Sequence, residues 1–190
     1  MRYGFSSSTF AGAPSGFTLL EVLIALLLLA LGLVGSAAMQ LVAMRVGQQG
    51  QLLSQASYVA TTLAEHMRAN ASAARDPSAT NPYLMFYDAA SGAEPVPPAA
   101  LCYGTPCDSA QLAQFELYQA QWQVWRLFPA GRLRICRDAH PAAGGRLRWD
   151  CDASVTAPLV IKLGWRGKLA SGAPQAEDSV PALALTVGVR

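Results

Sequence analysis

Charged side chains are scarce in this chain. Of its 190 residues, 14% are Asp, Glu, Lys or Arg, and the formal net charge is +2. Surfaces that bind nucleic acid usually show dense basic runs, so this composition gives no support for a nucleic-acid partner. At 52% hydrophobic, a chain of this length has room for one ordinary domain and a membrane segment, but not for two large domains.

Histidine is scarcer still, with only His66 and His140. Neither residue stands at a spacing typical of metal ligands. The sequence also contains no Ser-His-Asp order, no phosphate-binding P-loop and no HExxH motif. We therefore expect a protein without enzymatic activity, cofactor or metal site.

Cysteine is absent before residue 102. The even number of later cysteines favours disulfides in an exported segment, and "CYGTPC" lacks the C-x2-C spacing of the alternative, a zinc knuckle. Three connectivities are possible. We favour the two local ones, Cys102 with Cys107 and Cys136 with Cys151. Strand parity would place Cys136 and Cys151 on opposite faces, so we expect Cys151 beyond the regular end of its strand.

Proline is absent from residues 17–70, and charged side chains are absent from residues 22–44. At about 1.5 Å per residue the uncharged run spans about 35 Å, which is enough for a hydrocarbon core of about 30 Å. In residues 45–70, apolar side chains recur every three or four residues, at Leu52, Ala56, Val59, Leu63 and Met67. We predict one long helix that is apolar in its first half and amphipathic in its second.

The remaining sequence predicts a small domain. Proline-rich and small-residue stretches indicate a loop over residues 71–107. A second helix over 108–127 would be capped by Asp108 and Gln111, with Leu112, Phe115 and Trp122 on its apolar face. Residues 131–190 contain four candidate strands, "RLRICR", "GRLRWDC", "PLVIKLGW" and "PALALTVGV". The predicted fold is α+β, with the long helix packed on an antiparallel sheet of about four strands and one extra short helix.

Arginines alternate with apolar residues in two of these candidate strands. The pairs are Arg132 with Arg134, and Arg146 with Arg148. Such alternation is typical of a sheet with one buried face, so we favour a solvated face over the alternative, a surface that binds DNA or mediates adhesion.

One acidic residue, Glu21, interrupts the apolar N-terminal run. A carboxylate inside a membrane segment indicates a function, although a residue that reaches the membrane face is the alternative. Cleavage of a secretory signal after "SAA", residues 36–38, is also conceivable. Glu21 would then lie within the apolar core of that signal, and the run is too long for one. The other candidate cleavage point is the glycine that adjoins the run, Gly16.

The stretch "GFTLLE", residues 16–21, followed by a long apolar helix resembles the class III signal of type IV pilins and type II secretion pseudopilins. Further along, "LAEHMRAN", "ICRD" and "LVIKLGWRGK" resemble the PilV family of minor pilins. The resemblance implies a pilin-like fold with a prepilin leader (1–16), a transmembrane and filament-core helix (17–44) and a periplasmic globular domain (45–190).

The same resemblance implies roles for three N-terminal residues. Prepilin peptidase would cut between Gly16 and Phe17 on the cytoplasmic side and methylate the new Phe17 amine. Glu21 would dock onto the amino terminus of a neighbouring subunit. The expected partners are other minor pilins, the major pilin and the inner-membrane assembly platform. The protein would reside in the bacterial inner membrane and then at the pilus tip. Its expected role is to prime or cap pilus assembly; a minor pseudopilin or a tip module for binding DNA or surfaces remain alternatives.

Overall fold

The structure is a computed structural model that describes residues 16–152, 154–166 and 180–188. Apart from Gly16, the predicted leader lies outside the described residues. The chain divides into two units, Met1–Ala43 and Met44–Arg190, and each is described by itself below.

The long helix α1 covers Leu19–Ala69. In its first part no side chain is buried, because nothing in the described part of that unit packs on it. In the second unit, α1 buries one face, formed by Ala56, Val59, Ala60, Leu63, Ala64 and Met67. These positions follow the three- and four-residue spacing of a helix with one apolar stripe, so the predicted amphipathic half is confirmed.

The described residues of the second unit also form two shorter α-helices and six strands. The helices are α2 (Ala71–Ala74) and α3 (Ser109–Leu127). The strands are β1 (Met85–Asp88), β2 (Arg132–Arg137), β3 (Ala142–Ala143), β4 (Arg146–Leu147), β5 (Leu159–Gly164) and β6 (Leu183–Val187). Four of them form an antiparallel sheet in the order β1-β2-β5-β6, and β3 pairs with β4 separately. The predicted α+β, pilin-like fold class is thereby confirmed.

The composition of the main sheet differs from the prediction. Strand β1 lies in residues 71–107, which the sequence indicated as loop, and its Met85 pairs with Ile135 of β2. The candidate strand "GRLRWDC" does not join the sheet. Only Arg146 and Leu147 of that stretch are in a strand, where they form a small hairpin with β3 through Gly144 and Gly145. Both glycines have positive φ, 57° and 75°, as a tight two-residue hairpin turn requires.

Helix α3 begins as predicted but turns a different face to the core. The Asp108 side chain accepts a hydrogen bond from the Gln111 backbone, and the Gln111 side chain accepts one from the Asp108 backbone. The side chains of α3 that face the core are Ala113, Leu117, Ala120 and Val124. This face is rotated about the helix axis by about one residue from the predicted face. The two alanines are small, and this allows α3 to lie close to its neighbours. Phe115 is instead covered by Tyr103, whose ring contacts it edge-on at 4.7 Å.

The core lies between the second part of α1, helix α3 and one face of the sheet. Inward residues of the sheet include Leu133, Ile135, Ile161 and Leu163. Strand β5 is buried on both faces, because residues 138–152 and 154–157, here called the outer lobe, cover its second face. Trp149 of the lobe lies over Gly164, where a Cβ atom would stand 2.9 Å from the indole ring.

Candidate functional site

A threonine sets the beginning of α1. The Thr18 hydroxyl oxygen accepts a hydrogen bond from the backbone N–H of Glu21 at 3.2 Å, and the Thr18 carbonyl accepts one from Val22. A threonine followed three residues later by glutamate is the sequence of a capping box, in which side-chain oxygens accept hydrogen bonds from N–H groups that have no partner within the first turn of the helix. The sequence interpretation missed this role of Thr18, although "TLLE" is its signature. The helix therefore begins just after Phe17.

The bond between Gly16 and Phe17 is accessible. Both residues are exposed and precede the helix, and 81% of the Phe17 surface is open. A methyl group at Gly16 would meet no described atom within 4 Å. Packing among the described residues thus gives no reason for a glycine here.

Glu21 lies in the first turn of α1 and is exposed. The positive end of the helix dipole favours a carboxylate at this place. No ion pair of Glu21 occurs among the described residues. In the uncut chain the Phe17 nitrogen is an uncharged amide, so only cleavage would create an ammonium for Glu21 to pair with.

The helix after Glu21 presents apolar side chains on all sides. All residues from 19 to 50 are exposed, and α1 contains an 18-residue window with a mean hydropathy of 2.6 and no buried residue. It is the one helix of the described chain that is long and apolar enough to cross a membrane. A continuous apolar surface of this size requires lipid or protein to cover it.

Comparison with known proteins bears on this segment. A family described as "Prokaryotic N-terminal methylation motif" matches residues 13–37. No curated protein and no solved structure matches the chain significantly. Residues 13–37 carry a class III signal of the type IV pilin-like kind. The apolar helix that follows fits membrane anchoring, and proteins with this signal are generally structural rather than catalytic. The match does not reach the residues that resemble PilV.

The four cysteines form two disulfides in the structure, Cys102–Cys107 and Cys136–Cys151. Their Cα atoms are 5.8 Å and 6.1 Å apart, within the ordinary range. Cys136 belongs to β2, whereas Cys151 lies beyond the end of β4. The second disulfide therefore ties the outer lobe to the sheet.

The two histidines contact carboxylates. His66 Nδ1 is 3.7 Å from Glu116, and His140 Nδ1 is 3.4 Å from Asp152. No group of three or more potential metal ligands lies together in the described residues. These contacts have the form of ion pairs on and near the surface.

The face with alternating arginines is not the open, solvated face that we expected. Arg132 donates two hydrogen bonds to Asp88, at 2.7 and 2.9 Å, and its guanidinium lies over the rings of Phe86 and Trp149. The outer lobe covers the centre of this face, where Lys162 is fully buried. The Lys162 ammonium donates to the carboxylate of Asp138 and to the carbonyl of Asp150. The alternation of residues gave no sign of this buried pair, because its acid comes from outside the sheet.

Proposed function

We propose that this protein is a minor pilin that inserts in the inner membrane and helps to prime or cap a type IV pilus. The observation that carries the proposal is the class III signal at residues 13–37, continued by a helix whose apolar surface is not covered by any described residue of the chain. The resemblance of the later segments to the PilV family is what favours a minor pilin within that broad class.

The first step would be cleavage between Gly16 and Phe17 by prepilin peptidase, with methylation of the new amine. Cleavage would place an ammonium at the positive end of a helix, where the dipole repels it. Glu21 lies four residues along, about one turn away. Its carboxylate would pair with the amine of a subunit already in the filament, so that both charges are neutralised only in the correct register.

This pairing would fix the register between neighbouring subunits more than it would increase their affinity for each other. A buried ion pair gains little net free energy over apolar contacts, whereas removal of one partner typically costs about 3 to 5 kcal/mol. Other minor pilins, the major pilin and the assembly platform of the inner membrane would be the partners. The globular domain, residues 45–190, would lie in the periplasm and later at the pilus tip.

A minor pseudopilin of a type II secretion system is the second candidate, because pseudopilins share the signal that the family match identifies. A binding module at the filament tip is a third. Gene neighbourhood distinguishes the first two, since minor pilin genes with a large tip protein favour the pilus and secretion genes favour the pseudopilin. A DNA-binding assay with the purified protein addresses the third.

The test of the docking role compares wild type with Glu21→Ala and Glu21→Asp at matched membrane levels in the native host. Glu65→Ala is the matched control, because Glu65 is exposed on the same helix and pairs only with nearby Arg68 in the described structure. Incorporation is measured as the amount of protein in sheared filaments, together with the number of pili.

We expect Glu21→Ala to insert in the membrane normally, since it makes the segment more apolar. Its docking equilibrium should fall by about two orders of magnitude or more, given about 1.4 kcal/mol per tenfold change. Glu21→Asp should recover only part of this, because its side chain is shorter. Equal incorporation of all four proteins would refute the docking role of Glu21.

A further inference from the structure

Three arginines of β2 have different surroundings. Arg132 is held by Asp88 and lies between two aromatic rings. Arg137 donates to the carbonyl of Asp76 at 2.7 Å and to that of Ala157 at 3.2 Å. Arg134, between them, has no hydrogen bond or ion pair within the described residues; its guanidinium lies 5.9 Å from the centre of the Phe86 ring. Arg134 is thus the one arginine of β2 that makes no hydrogen bond or ion pair with the described residues.

Arg134 lines a cleft on the outer side of β1 and β2. The cleft has a volume of about 370 Å³, and its walls include Ser78, Leu84, Phe86, Arg134 and Val155. Arg137 holds two of the lining segments together, because the carbonyls that it binds, those of Asp76 and Ala157, lie next to the lining residues 77–79 and 154–155 in the chain. Phe86 and Val155 are exposed there, at 57% and 60% of their surfaces. The cleft therefore combines open apolar side chains with a permanent cation that has no ion pair among the described residues.

The carboxylates near the cleft are already engaged. Asp138 accepts hydrogen bonds from Lys162 and from the backbone of His140. Asp152, which also lines the cleft, accepts from the backbone of Ala139 at 2.7 Å and from Arg148 at 3.2 Å. Lys162, directly opposite Arg134 in the sheet register, is a second cation and cannot neutralise it. No carboxylate in the described part of the chain therefore pairs with Arg134, and its charge is open to an acidic ligand.

We propose that this Arg134 cleft binds a segment of a partner polypeptide in which a carboxylate side chain stands next to aliphatic side chains. The carboxylate would accept hydrogen bonds from the Arg134 guanidinium, whose planar fork matches two carboxylate oxygens. The neighbouring aliphatic groups would cover Phe86 and Val155. All lining residues of the cleft belong to the second unit, and the proposal does not depend on the assignment as a minor pilin.

The test uses the full-length protein, labelled with ¹⁵N, in micelles of an uncharged maltoside detergent at low salt. The probes are three peptides, acetyl-leucyl-X-leucyl-valyl-amide, in which X is glutamyl, glutaminyl or lysyl. Titration followed by NMR gives the affinity of each peptide and places the shifts on the chain. The variants are Arg134→Ala and Arg134→Lys. Arg146→Ala is the control. Arg146 is exposed on β4 and is not among the lining residues of the cleft, so this substitution removes one positive charge and leaves the cleft unchanged.

We expect the glutamyl peptide to shift signals of β1, β2 and residues 154–155, and to bind about fivefold more tightly than the glutaminyl peptide, the upper range for a half-exposed ion pair. Arg134→Ala should abolish this preference, Arg134→Lys should keep part of it, and Arg146→Ala should leave it unchanged. The lysyl peptide should bind most weakly.

Four results would overturn the proposal. The first is the absence of shifts in the cleft with any peptide. The second is equal affinity for the glutamyl and glutaminyl peptides. The third is an equal loss of the preference in Arg134→Ala and Arg146→Ala. The fourth is that acetate alone reproduces the shifts and the affinity of the glutamyl peptide, which would mean that Arg134 binds an adventitious ion only.

Discussion

Helix α1 has two environments along one continuous stretch of sequence. Every residue from 19 to 50 is exposed, whereas six residues between Ala56 and Met67 are buried in the core of the second unit. Both parts are rich in apolar side chains. In the first part these surround the helix, and in the second they form a single stripe, with Gln and Ser on the other side.

The difference shows where each part obtains its stability. A stripe can be covered by one neighbour, and in the second unit α3 and the sheet supply that cover. A helix that is apolar all round needs a surrounding apolar medium, which a membrane or a packed bundle of like helices provides. The first part therefore needs a cover that the described residues do not supply, whereas the second part has its cover within the second unit.

The sharpest test of the first part is a block of its processing. Gly16→Val should leave the chain at 190 residues, whereas wild type should lose 16 and keep 174. Filament incorporation should then be lost altogether, because Phe17 would never gain its ammonium. The fold should be unaffected, since a side chain at Gly16 meets no described atom within 4 Å. Intact mass and filament content are the measurements.

Gly35→Val is the matched control for that experiment, because Gly35 is equally open. It should be cut normally. A wild-type chain that begins at Met39 would instead indicate secretory cleavage after Ala38 and would contradict the pilin interpretation. A cleaved Gly16→Val chain would show that the peptidase does not need this glycine.

The two environments can be compared directly by making the same substitution in both. Leu63→Ala removes a side chain that is 2% exposed, and a buried leucine truncated in this way typically costs about 2 to 5 kcal/mol of unfolding free energy. Leu26→Ala removes one that is 56% exposed and should leave the unfolding of the globular domain unchanged. Denaturant titration in neutral detergent, followed by tryptophan fluorescence, measures both. Similar losses would show that residues 19–43 contribute to the stability of the domain.

The contrast also explains which features the sequence predicted. The helix and the "GFTLLE" signal are local patterns of adjacent residues, so they could be recognised without the fold. Strand β1 could not, because a four-residue strand is stabilised by its pairing with β2 more than forty positions later. The hairpin at Arg146 was mistaken for a sheet strand for a related reason: its position depends on the disulfide to Cys136 and on the buried Lys162.

The same limit applies to the candidate sites. Gly16, Phe17 and Glu21 lie within six positions of one another, so the sequence alone shows them as one motif. Their roles in processing and docking stay predictions. The cleft at Arg134 was not predicted. Arg132, Arg134 and Arg137 look alike in the sequence, and only their non-local partners, Asp88 among them, distinguish the engaged arginines from the open one.

The disulfides should stabilise only the second unit. In the chain-entropy model, closing a loop of separation 15, as Cys136–Cys151 does, contributes about 3 kcal/mol. Closing one of separation 5, as Cys102–Cys107 does, contributes about 2 kcal/mol. Replacing each pair by serine should lower the unfolding free energy in that order. Thiol labelling of denatured, unreduced wild type should find no free cysteine, and two or more labelled sites would refute the pairing.

The smallest expected effect concerns the buried counterpart of Glu21. Glu116 on α3 is 7% exposed, accepts a hydrogen bond from the Tyr83 hydroxyl at 2.5 Å and lies 3.7 Å from His66 Nδ1. Burial raises the pKa of Glu116 above its ordinary value of 4.5, against the smaller opposing effects of the Tyr83 hydrogen bond and the His66 charge. The folded state therefore holds this proton more tightly than the unfolded state.

Stability from that proton is fully present below pH 4.5 and is lost as pH rises through the raised pKa of Glu116.

Glutamine keeps an oxygen for the Tyr83 hydroxyl but carries no charge. Glu116→Gln should thus match wild type at acidic pH and become relatively more stable as pH rises. Glu116→Ala should lose about 1 to 3 kcal/mol relative to wild type at acidic pH, because it leaves the buried hydroxyl without an acceptor, and this deficit should shrink as pH rises. Glu94→Gln, at an exposed position, is the control and should show no such trend. The measurement is the denaturation midpoint of wild type and each variant at pH 4, 6 and 8. The opposite result would be that wild type becomes more stable relative to Glu116→Gln as pH rises. The partners of Glu116 would then stabilise its ionised form, and burial would not make this carboxylate differ from the exposed Glu21.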